Sequence, residues 1–113
     1  MDLPTLRKLV SLDEHDALSR FALGKRLFEE AGGSRAMLEE SAGHLRFANG
    51  KSPEHLATYH IFAQVLIALG HNDEARQVLE EGIRRVAAVG HGMGRDLGPA
   101  MSEMLGRLPS VSP

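Results

Sequence analysis

Apolar residues recur along this chain at spacings of three and four, the period of helices with one buried face. Asp2-Leu3-Pro4 opens the first predicted helix, with Pro4 in the first turn, where its missing N–H costs nothing. Leu6, Leu9 and Val10 form its stripe, and it fades near Leu12 at the polar run Asp13-Glu14-His15-Asp16. Asp16 suits the N-cap of a second helix, whose inner face is Leu23, Leu27 and Ala31 with Gly24 between them, and which Gly32-Gly33 stops. Ser34 caps a third helix carrying Met37, Leu38, Ser41, Leu45 and Ala48, expected to end at Asn49-Gly50. Ser52-Pro53-Glu54-His55 is the strongest helix start in the chain: Ser as cap, Pro at the first position, then an acid near the positive helix end. Tyr59, Phe62, Ala63, Leu66 and Leu69 follow on one face, Gly70 ends that helix, and His71-Asn72-Asp73 is the turn. A fifth helix carries Ala75, Val78, Leu79, Gly82, Ile83 and Val86, and Gly90-His91-Gly92-Met93-Gly94 breaks it. The sixth, with Leu97, Met101, Met104, Leu105 and Leu108 on one face, runs to about Arg107, and residues 108–113 read as a flexible tail. No alternating run of β-branched residues predicts a strand. The short turns require neighbouring helices to be antiparallel.

Composition narrows the picture. A chain of 113 residues, 42% hydrophobic and 25% charged, fits one soluble globular domain, here residues 1–107. Four Phe, one Tyr and no Trp leave the core to Leu, Ala, Val, Ile and Met. The net charge of −2 is evenly spread, so neither half carries the basic excess that nucleic acid demands. Arg84 and Arg85, the densest basic pair, stand beside Glu80 and Glu81 and read as a solvated helix face. With no cysteine, disulfides, thiolate nucleophiles and Cys-ligated zinc are excluded. No run is long enough for a membrane helix and no signal peptide opens the chain, so a cytoplasmic location is expected.

The helices also repeat. Tyr59, Phe62-Ala63, Leu66, Gly70, Ala75, Leu79 and Gly82 place large and small residues in the order of a tetratricopeptide repeat, so residues 56–83 resemble that family in its small bacterial-type form. Ala63 and Ala75 are small where two helices of a pair would cross. Leu23-Gly24 matches Phe62-Ala63, Leu27 matches Leu66, and Leu45, Ala48 and Pro53 continue the scheme. The match requires about five extra residues around Gly32 to Ala36, expected to lengthen the second helix toward Ser34. The resemblance implies an all-α, right-handed solenoid of helix-turn-helix repeats at about 16–53 and 56–89. Helices at about 3–12 and 95–107 would flank them, the last as a cap.

The resemblance further implies a protein-interaction module, a scaffold or adaptor holding a peptide or helix in a concave groove. Leu18, Phe21, Lys25, Phe28 and Glu29 would line it from the first repeat, and Ala57, His60, Gln64, Ile67 and Ala68 from the second. Phe21, Phe28 and Ile67 fall off the inner stripes of their helices, which fits either a binding surface or packing against a flanking helix. The Lys and Asn with which some family members hold a C-terminal carboxylate are not matched, since Phe21 and Lys25 stand at those places. A structural homodimer through the Met-bearing last helix is the alternative reading.

Catalysis finds little footing. His55 and His60 are five apart and diverge around a helix, whereas a two-His zinc motif needs a spacing of four. His15 among Asp13, Glu14 and Asp16 lacks the glycine and spacing of a calcium loop. The glycine-rich segment 90–94 follows a helix rather than a strand and lacks the Lys-Ser/Thr of a phosphate loop. Adjacent carboxylates such as Glu29-Glu30, Glu39-Glu40 and Glu80-Glu81 diverge and cannot work as acid and base. The expectation is a non-enzyme without cofactor or metal.

Overall fold

The computed structural model describes residues 1–89 and 96–109. Six α-helices are the regular elements among them: α1 (Leu3–Leu12), α2 (Ala17–Glu30), α3 (Arg35–Lys51), α4 (Leu56–Leu69), α5 (Asn72–Val89) and α6 (Leu97–Arg107). The all-helical class is therefore as the periodicity predicts. The chain forms two compact units, Met1–Pro53 and Glu54–Pro113. The glycine-rich break at 90–94, His91 within it, and residues 110–113 of the expected tail lie outside the described residues.

In the first unit, α1 packs on α2 and α2 on α3. Three helix starts carry the caps their sequences promise. Asp2 accepts from the Thr5 N–H at 3.0 Å, Asp16 from the Ser19 N–H at 3.1 Å, and Ser34 from the Met37 N–H at 3.3 Å. Leu6 and Val10 of α1 meet Leu23 and Leu27 of α2 in one apolar cluster, with Leu3, Leu9, Ala22 and Met37 against it. α2 and α3 approach closely at Gly24, where an added Cβ would stand 2.7 Å from Leu45 Cγ. There the Ser41 hydroxyl donates to the Gly24 carbonyl at 2.6 Å, and both residues are buried.

In the second unit, α4 packs on α5 and both pack on α6. The three meet at Gly82, where a Cβ would stand 2.8 Å from Met101 Sδ and 2.8 Å from Tyr59 Cβ. Only a glycine lets that approach close. Gly70 ends α4 at φ 81°, a left-handed conformation that glycine adopts without strain, and α5 begins two residues later. The Arg76 guanidinium near the start of α5 donates to the Pro109 carbonyl just past α6, which ties the exit of α6 to α5.

Three boundaries differ from the sequence reading, the simplest being the expected turn His71-Asn72-Asp73, of which Asn72 and Asp73 already belong to α5. α3 passes through Asn49-Gly50 to Lys51, and Ser52 closes it by donating its N–H to the Ala48 carbonyl. Ser52 is thus the end of α3 rather than the start of α4. The reason is Pro53, which disfavours helical geometry in the residue before it, so Ser52 sits at φ −131°, ψ 72°. α4 is capped by His55 three residues on, whose Nδ1 is 2.7 Å from the Thr58 hydroxyl. The five extra residues also fall elsewhere. α2 ends at Glu30 because Gly32 and Gly33 take φ 50° and 91°, and it has the same 14 residues as α4. The surplus goes into a longer connection, residues 31–34 against Gly70-His71, and into three additional residues at the start of α3.

Candidate interaction surface

All six residues singled out for partner binding lie on α2 or α4, the first helix of each close-packed pair. Phe21, Lys25 and Phe28 share one side of α2. At about 100° per residue they adjoin the buried arc of Leu23, Gly24, Leu27 and Ala31. Lys25 is exposed, whereas both Phe rings are half-buried on the shoulder of the core. Phe21 and Lys25 also line an open depression of about 290 Å³ between α1 and α2, with Met1, Leu6, Ala22, Arg26 and Glu29. Phe28 is not among its lining residues. Among the described residues, the large apolar side chains that stand well out from the surface are instead Met1, Leu12, Leu18 and Val89. Leu18 belongs to the lining that the resemblance implies. Leu12 and Val89 are at helix ends, where periodicity no longer distinguishes inside from outside.

α4 has an unusual composition. Its 14 residues, LATYHIFAQVLIAL, include no Asp, Glu, Lys or Arg. Eight of them, from Leu56 to Leu69, are buried and occupy about half of the helix circumference. The other half, formed by Ala57, His60, Ile61, Gln64, Ile67 and Ala68, is partly or fully exposed and has no acidic or permanently charged side chain. The Gln64 amide donates to the His60 carbonyl at 3.4 Å, so one of its polar groups is occupied within the helix. A solvated helix face normally carries charge, as α5 does where Glu81 holds Arg84 and Arg85 at 2.5 and 2.8 Å.

The pairs α2–α3 and α4–α5 match position by position. Leu23, Gly24 and Leu27 correspond to Phe62, Ala63 and Leu66, and Ser41, Leu45 and Ala48 correspond to Ala75, Leu79 and Gly82; all twelve are buried. No family model, curated protein or solved structure matches the chain.

The first unit also holds a polar network that the sequence reading did not assemble. Arg7 of α1 forms a two-pronged ion pair with Glu40 of α3. Glu40 lies 3.2 Å from His44 Nε2, and Arg20 of α2 is 3.3 Å from His44 Nδ1. The Arg20 guanidinium also donates to the Glu14 carbonyl at 2.9 Å and lies 4.5 Å above the Phe47 ring, against which His15 packs at 6.0 Å. The Arg7 hydrogen bond holds the Glu40 carboxyl below its ordinary range, and burial holds the His44 imidazole below its own. The Glu40/His44 spacing of four was the only sequence signal for this cluster. Its partners on α1 and α2 become neighbours only through tertiary packing. Among the described residues, no group of three or more His, Asp or Glu is placed to hold a metal ion, and no helix is long and apolar enough to cross a membrane.

Proposed function

We propose that this protein is an interaction module of the tetratricopeptide kind, which binds a peptide or helix of another protein on the outer faces of its first-of-pair helices. The observation that carries the reading is the outer half of α4, without acidic or permanently charged side chains, with Ile61 and Ile67 partly open beside His60 and Gln64. A partner's apolar side chains would take the still open parts of Ile61, Ile67 and Ala68 out of water, and there is no fixed charge beside them to desolvate. The matched burial of the two helix pairs supports a repeat, and repeats of this kind use their first helices as a binding surface. In the first unit, Lys25 and the half-buried Phe21 and Phe28 give α2 an amphipathic side of its own.

Site-specific photo-crosslinking tests the proposal in cells. A benzophenone amino acid at Gln64 should give a discrete adduct with a second polypeptide. The same group at Glu80, on the charged face of α5, should give none. Equal labelling from both positions, or none from Gln64, would refute the reading.

A further inference from the structure

His44 has a defined protonation state, fixed by what surrounds it. A guanidinium has donors and no acceptor, so the Arg20 contact at 3.3 Å requires a bare, accepting Nδ1. The single ring proton is therefore on Nε2, which donates to the Glu40 carboxylate at 3.2 Å. The side chain is only 15% exposed. The charged groups facing it are Arg20 from α2, Arg7 from α1 through Glu40, and Glu40 on its own helix. From the turn joining α1 and α2 come the Glu14 carbonyl, which holds Arg20, and His15, which shares the Phe47 ring with it.

We propose that His44 is a proton-operated latch on the turn between α1 and α2: one proton taken up at Nδ1 expels the Arg20 guanidinium and releases residues 13–16. The proton converts an acceptor into a donor that points at another donor and adds positive charge beside two arginines. Arg20 then loses its His44 contact, and the Glu14 carbonyl loses the donor that ties the turn to α2 and α3. The turn is left with only local hydrogen bonds, such as Asp16 N–H to the Asp13 carbonyl and His15 N–H to Asp13 Oδ1. Arg7 and Glu40 stay paired, so α1 remains anchored while the turn opens.

The direction of the pH response follows. An unfolded histidine takes its proton near its ordinary value of 6.5, whereas the folded His44 does so lower. Between the two values the unfolded or opened state binds more protons. The latch is therefore fully closed above about pH 6.5 and is progressively lost as the pH falls toward the folded value.

Amide hydrogen exchange of residues 13–20, corrected for intrinsic rates, tests the latch on the intact chain. Protection in the wild type should fall about threefold or more between about pH 7.5 and about pH 5.5. In His44→Gln, whose side-chain oxygen can accept from Arg20 and whose amide can donate to Glu40, it should hardly change. His71→Asn, between α4 and α5, should respond as the wild type does. A pH response that survives in His44→Gln, or vanishes in His71→Asn, overturns the proposal. Nitrogen-detected imidazole spectra of the wild type read the tautomer without any variant, and a protonated Nδ1 at about pH 7.5 also overturns it.

Discussion

A methyl group added at Gly24 would stand 2.7 Å from Leu45 Cγ and 3.2 Å from the Ser41 carbonyl oxygen. Leu45 is fully buried and Ser41 holds the Gly24 carbonyl, so neither neighbour can withdraw cheaply. Gly24→Ala would gain up to about 1 kcal/mol of helix propensity. We expect the overpacking to win and the variant to lose about 1–3 kcal/mol in urea unfolding. At the matched place on α4 the chain already has Ala63, also fully buried, so the two pairs solve the same crossing with different side chains. Ser41→Ala, which copies the Ala75 of the other pair, should cost only about 1 kcal/mol, because the hydroxyl leaves with its own hydrogen bond.

Among the elements, α3 shows best what a local signal can and cannot establish. Its cap was legible: Ser34 follows two glycines and precedes an apolar stripe, and the structure uses it as read. Ser34→Ala should therefore lower stability by about 1 kcal/mol, measured by thermal or urea unfolding. Its other end was misread because Ser52-Pro53 fits two descriptions, a cap before Pro and an extended residue forced by Pro. The choice between them depends on whether the helix before it still has bonds to make, and the Ser52 N–H does. The stripes of α1, α2, α4 and α5 were legible because burial follows their period. The half-buried state of Phe21, Phe28 and Ile67 was not, since a shoulder position is decided by what packs beside the helix. The Arg7–Glu40–His44–Arg20 chain joins residues up to 37 positions apart and leaves no mark at any single spacing.

At the scale of the whole molecule, each compact unit is closed by a helix outside the matched pairs: α1 in the first, α6 in the second. The second closure hangs on Met101, fully buried against Tyr59 and the bare Cα of Gly82. Truncation there removes most of the side chain that fills this three-helix junction. Met101→Ala should cost about 2–4 kcal/mol, read from the unfolding midpoint. Hydrogen exchange should then rise first in α6. The composition of α4 has a further consequence for the kinetics of any association through its outer face. With no fixed charge there to attract or repel, encounter would proceed at the unsteered rate, on the order of 10⁵–10⁶ M⁻¹s⁻¹. Raising the ionic strength would then leave on-rate and affinity nearly flat, while contacts made through Lys25 on α2 would weaken.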